Sequence, residues 1–177
     1  MNAKLEKFDK ENYLHVTDAK EIAKWTKSET GLMLPIPPQD ICEHPYGVLA
    51  TGFIGPTIKV AGYIAIKEVS SDGKIGQIGT FVVNPECRGQ GLGKRMLHFI
   101  LNYHQKTLPD IEQLYSYVNH ESLPIYLTAG GIISALREPP YETSCIYEVD
   151  MSPALKNVDT NNYGSPGGPP IHKGVNL

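Results

Sequence analysis

A chain of 177 residues, 41% of them hydrophobic, has the length and apolar content for one domain with its own core and an extension. Lys and Arg total 16 against 19 Asp and Glu, a formal charge of −3, so no basic face points to a nucleic-acid partner. No run nears the ~18 apolar residues of a membrane helix, and an N-terminus carrying Lys4, Glu6, Lys7 and Asp9 is no signal peptide. Cys42, Cys87 and Cys145 have neither the number nor the spacing of a disulfide framework or a zinc site, so a cytoplasmic setting with no metal is expected.

Asp18 to Lys27 reads as a helix: Asp18 can cap it, Glu21 follows three residues on, and Ile22 and Trp25 make an apolar stripe. Pro35, Pro37, Pro38 and Pro45 make the segment from Gly31 to Pro45 a loop. Strands are expected over Gly47–Phe53, Lys59–Glu68 and Gly76–Val83, joined by turns at Gly55-Pro56 and Ser70-Ser71-Asp72-Gly73. Gly91 to Gln105 has helical periodicity, with Leu92, Met96, Phe99, Ile100 and Tyr103 on one face. Leu114–Val118 reads as a strand, Ser122–Ala129 as a short helix closed by Gly130-Gly131, and Ile132–Leu136 with Tyr141–Val149 as a last strand pair. The order β-β-β-α-β-α-β-β predicts an α/β (α+β) domain over residues 1–150, a mixed, mostly antiparallel sheet flanked by helices. Pro153, Pro166, Pro169 and Pro170 mark residues 151–177 as a Pro/Gly-rich tail without its own core.

The run Arg88-Gly89-Gln90-Gly91-Leu92-Gly93, between the third strand and the second long helix, carries the chemistry. Its alternate glycines remove side chains where backbone amides can face a ligand, and the helix start adds roughly +0.5 of a charge there. A phosphate or pyrophosphate fits such a loop. A P-loop would need one more residue before Gly93-Lys94 and a hydroxyl residue where Arg95 stands. A dinucleotide fingerprint would need a small residue where Lys94 stands, in the first βα unit of the chain.

The loop resembles the acetyl-CoA-binding segment of the GNAT acyltransferase superfamily, Arg/Gln-x-x-Gly-x-Gly/Ala after a strand ending in an apolar-x-Pro turn. Arg88, Gly91 and Gly93 take the defining positions, Gly89 matches a common variant, and Val83-Asn84-Pro85 supplies the turn. Asn119 and Pro124-Ile125-Tyr126-Leu127-Thr128-Ala129-Gly130-Gly131 resemble the family's second segment, with Gly131 in place of the usual Phe. The resemblance spans roughly residues 47–149 and implies the GNAT fold, acetyl-CoA as co-substrate and transfer of an acetyl group to an amine. It implies that backbone from Arg88 through Gly89, Gln90, Gly91, Leu92 and Gly93 to Lys94 holds the pyrophosphate, with Arg88 adding a charged contact. Backbone of Phe81, Val82 and Val83 would grip the pantetheine and the acetyl carbonyl. Tyr126 aligns with the tyrosine that protonates the departing thiolate, the alternative being a core tyrosine on a short helix. Asn119 either bonds the pantetheine or caps a turn.

In some members a glutamate on the strand before the loop acts as base, but Ile75-Gly76-Gln77-Ile78-Gly79 holds no carboxylate here. Water relaying the proton from a lower-pKa amine is therefore expected, since an α-amine near ~7.7–8.0 is appreciably neutral where a lysine amine near ~10.4 is not. His120 and Glu121 are candidate relays, or solvated loop residues. Cys87, beside Arg88 and a helix start, has the setting for a lowered pKa but no histidine partner, and is read as a bystander. The implied partners are a small-molecule amine or a peptide or protein amine, with no nucleic acid and no membrane; a homodimer is left open. Trp25, the segment from Gly31 to Pro45 and the last strand pair are expected to build the acceptor site. A non-catalytic acyl-CoA sensor and a partner-binding subunit working through its tail are the competing readings.

Overall fold

The computed structural model describes residues 2–28, 35–107, 110–137 and 147–156. Among these, a 7-stranded mixed sheet has the order β1-β2-β3-β4-β5-β7-β6. The strands are β1 (Lys4–Lys7), β2 (Tyr46–Ile54), β3 (Thr57–Val69), β4 (Ile75–Val83), β5 (Gln113–Val118), β6 (Ile132–Leu136) and β7 (Tyr147–Asp150). β1 to β4 run antiparallel in sequence order, β5 joins β4 in parallel, and β7 and β6 continue antiparallel beyond β5. The helices are α1 (Tyr13–Ser28), α2 (Pro38–Glu43), α3 (Leu92–Thr107), α4 (Leu123–Thr128) and α5 (Ser152–Lys156). None of them is long and apolar enough to cross a membrane.

Side-chain alternation along β3 explains why both faces of the sheet are covered. Val60, Tyr63 and Ala65 join a core with Ile22 and Trp25 of α1 and Ile41 of α2. Ala61, Ile64 and Ile66 join the opposite core with Met96, Leu97, Ile100 and Leu101 of α3, Tyr126 of α4 and Ala154 of α5.

The expected order of strands and helices is present as β2-β3-β4-α3-β5-α4-β6-β7, with three local differences. α1 starts at Tyr13 because Asn12, not Asp18, accepts the first-turn bond, from Leu14 N to Asn12 Oδ1 at 3.0 Å. Asp18 sits inside the helix, where burial raises its carboxyl pKa. α2 lies in the segment expected as loop, because Pro38 occupies its first turn, where an N–H has no helical partner to lose. β1 was too short and too charged to show a pattern, and it pairs at the edge with β2. Of the expected strand Tyr141–Val149, residues 141–146 lie outside the described residues, as does Cys145. Of the expected tail only 151–156 are described, and there Met151 and Ala154 are buried in the α3-side core.

Gly131, where the resembling family has Phe, leaves no gap in the packing. A Cβ there would lie 2.5 Å from Met151 Sδ and 3.0 Å from the Tyr126 carbonyl oxygen, so Met151 already fills the space. Gly131→Ala is expected to destabilise the fold by ~1–3 kcal/mol through overpacking; a urea midpoint unchanged from the parent protein contradicts this.

Candidate active site

β4 and β5 pair only through their first halves, Ile75 to Ile78 against Gln113 to Ser116, and no pairing joins them beyond. A bulge in β4 lies at that point. β3 pairs Tyr63 with Val82 and Ala65 with Gly79, so Thr80 and Phe81 together face the single residue Ile64. Thr80 has φ +49°, the left-handed region that a β-branched residue adopts only under strain. The bulge turns the end of β4 away from β5, and a cleft of about 1000 Å³ occupies the fork.

The glycine loop forms one wall. Asn84 Oδ1 accepts from Glu86 N at 3.0 Å across a single 3₁₀ turn, Pro85–Cys87, which reverses the chain after β4. Gly89 and Gly91 then both take φ +73°, and Arg95 N donates to Gly91 O at 3.2 Å to start α3. The amides ahead of Arg95 in this turn have no carbonyl one turn back. Leu92 is buried and anchors the helix start in the core. Arg88 Nε donates to Val83 O at 3.2 Å, tying the guanidinium to the end of β4. Arg88, Gly89, Gly91, Leu92, Gly93 and Lys94 all line the cleft. Gln90 does not; it borders a smaller hollow with Asn2 and Phe53.

Phe81, Val82 and Val83 line the cleft from β4, and the ring of Phe81 meets Tyr126 edge-on, centroids 5.8 Å apart. Tyr126 is 1% exposed, with its hydroxyl 3.2 Å from Ser116 Oγ. Ser116 in turn donates to Ile78 O at 3.0 Å. The phenol thus stands at the last paired residues before the strands part. Asn119 Oδ1 accepts from Ser122 N and from Ser122 Oγ, both at 2.8 Å, so its side chain caps the turn into α4 while lining the cleft. Glu121 also lines it, whereas Trp25 is buried in the α1-side core and does not. Cys87 is no activated thiol: burial pushes its pKa up, and Glu86 adds to the shift.

The far end of the cleft is built by residues that sequence reasoning placed only as a segment. Asp40, Glu43 and His44 come from α2 and its C-terminal cap, Lys67 and Glu68 from β3, and Arg137 follows β6. Arg137 lies over the Tyr117 ring, 4.2 Å from its centroid. His44 had no sequence signal, being a lone histidine in a proline-rich stretch. Its ring stacks on Tyr63, with centroids 5.9 Å apart. Nδ1 lies 3.1 Å from Tyr63 Oη, and Nε2 lies 3.4 Å from Thr80 Oγ1 at the bulge.

Burial and then the nearby Lys67 ammonium push the His44 pKa down to about 4, while Asp40 and Glu68 oppose the shift. The unfolded chain, with imidazole near ~6.5, therefore takes up this proton first as pH falls. The stability difference between the parent protein and His44→Gln is expected to be constant above pH ~6.5 and to shrink as pH drops from there toward ~4. Urea unfolding of both proteins at a series of pH values checks it; a difference that grows toward low pH contradicts it.

Residues 16–130 match the acetyltransferase (GNAT) family, and the chain belongs to that family. No curated protein matches it in sequence. An acetyltransferase of the GNAT family from Streptococcus pneumoniae superposes with TM-score 0.62 at 16% identity, covering 84% of this chain and 98% of that one. Ard1 from Thermoplasma volcanium gives TM-score 0.63 at 15% identity, over 84% of this chain and 96% of that one. Mutant forms of the spermidine/spermine N-acetyltransferase SpeG from Vibrio cholerae give 0.58 at 14%, over 84% and 92%. The fold expected from the sequence is thus the fold found, and the enzyme is an acetyltransferase of this family.

Proposed function

We propose that this protein transfers the acetyl group of acetyl-CoA to a primary amine, using the β4–β5 fork as its active site. The observation that carries this reading is the meeting, in one cleft, of the α3 glycine loop with the unpaired end of β4. Gly89 and Gly91 in the left-handed region aim loop backbone where a side chain would intrude, and the α3 start adds a favourable field for phosphate. These residues fit a pyrophosphate, with Arg88 and Lys94 beside it as cations. Acetyl-CoA, when bound, supplies an activated thioester. Backbone of Phe81, Val82 and Val83, unpaired with β5, holds the pantetheine and polarises the acetyl carbonyl in this scheme.

Tyr126 is the proton donor to the departing sulfur in this scheme. Tyr126 lines the cleft, its hydroxyl 3.2 Å from Ser116 Oγ and its ring against Phe81. Asn119 shapes the same wall through its cap on Ser122. At the opposite end Asp40, Glu43 and Glu68 outnumber Lys67 and Arg137, a balance that favours a cationic acceptor.

The test is thiol release from acetyl-CoA with an amine panel: spermidine, a peptide with a free α-amine, and a peptide with a lysine side chain. Amine-dependent release with acetylated product is expected. Tight acetyl-CoA binding with no turnover on any of them would instead favour a sensor.

A further inference from the structure

We propose that His44 Nε2 takes the proton from the acceptor nitrogen as it attacks, an inference that rests on the acetyltransferase reading. β4 holds no carboxylate to do this, and its polar residues in the cleft, Gln77 and Thr80, are no bases.

The hydrogen-bond chain points to Nε2 as the accepting nitrogen of the ring. Tyr63 has one hydroxyl proton and donates it to Ile41 O at 3.2 Å. Its oxygen can then only accept from His44, so Nδ1 carries the imidazole proton. Nε2 then accepts from Thr80 Oγ1 at a long 3.4 Å, a bond that an incoming amine must displace, and both residues line the cleft at the strained bulge. Tyr63 is 0% exposed and packs edge-on against Phe8, so the support of the ring is rigid. A buried tyrosine holding a half-buried histidine in one tautomer, lone pair toward a reaction cleft, is the arrangement of an oriented base.

The charged groups facing the ring are Lys67 and Glu68 from β3 and Asp40 from α2. Burial and Lys67 outweigh Asp40 and Glu68, so the imidazole is neutral near pH 7. As the amine nitrogen bonds to the acetyl carbon, it loses one proton to Nε2. The C–S bond breaks with its electron pair going to sulfur, and Tyr126 returns one proton there. Bulk water then reprotonates Tyr126 and deprotonates His44, so one proton leaves nitrogen and one reaches sulfur. A nitrogen bonded to the acetyl carbon is far more acidic than the free ammonium, which is why so weak a base suffices.

The test compares the full-length protein with His44→Ala and His44→Gln in the same amine panel, with and without added imidazole. Two-bond proton–nitrogen NMR of the unaltered protein reads the tautomer. The expected result is a loss of about a hundredfold in kcat for both variants. KM for acetyl-CoA should hold within about twofold, kcat of His44→Ala should recover partly in imidazole, and the NMR should show protonated Nδ1 on His44. Turnover by the unaltered protein together with undiminished kcat in the variants overturns this role alone. So does a loss that imidazole does not restore, or an Nε2–H tautomer. No turnover by the unaltered protein overturns the acetyltransferase reading and this role with it.

Discussion

Gly91→Val is expected to raise the Kd for acetyl-CoA at least tenfold, equivalent to ~1.4 kcal/mol, while the protein stays folded. The effect is conformational rather than steric. A Cβ at Gly91 meets nothing within 4 Å, but φ is +73°, and a β-branched side chain there costs roughly 1–2 kcal/mol or more. The loop can relieve that strain only by turning its peptide planes, which moves the amides proposed to face the pyrophosphate. Gly73→Val is the matched control. Gly73 has φ +76° and nothing within 4 Å of its Cβ, but it lies in the turn between β3 and β4, and it does not line the cleft. Both variants should lose similar stability, and only Gly91→Val should lose affinity in calorimetric titration. Equal affinities for the two would remove the glycine loop from the binding site.

Tyr126→Phe is expected to lower kcat about a hundredfold with KM for acetyl-CoA nearly unchanged. The ring contact with Phe81 survives the substitution, and Ser116 keeps its bond to Ile78 O. The stability loss should therefore stay near ~1 kcal/mol, that of one hydrogen bond. Steady-state kinetics with acetyl-CoA varied at a saturating amine separates the outcomes. A rise in KM at constant kcat would make the phenol a binding group, and an unchanged kcat would make it a core residue only.

The two halves of the site differed in how far residue order alone revealed them. The geometry of Arg88, Gly89, Gly91 and Gly93 was legible because it is local: turn, glycines and helix start follow one another within a few residues. Tyr126 and Asn119 came from the family resemblance; both line the cleft, and the cap of Asn119 on Ser122 is a local bond that competes for its side chain. The acceptor end was not legible, because it is assembled across the sheet. His44 depends on Tyr63 from β3 and Thr80 from β4, and no local pattern announces such a contact. Prolines led the expectation to a loop over 31–45, yet Pro38 is the start of α2, the helix that carries His44 at its end. Trp25 was placed at the acceptor site by type, and burial of the α1 stripe took it into the core instead. The left-handed Thr80 that opens the fork had no signal at all, since a β-branched residue is the last choice for that conformation.

The most direct measurement of the central claim is the amide spectrum of glycine-selectively ¹⁵N-labelled protein titrated with CoA. The fork model predicts that Gly89, Gly91 and Gly93 show the largest shifts, while Gly73 at the tip of the β3–β4 hairpin stays in place. Saturating CoA that leaves the three loop glycines unmoved would contradict it.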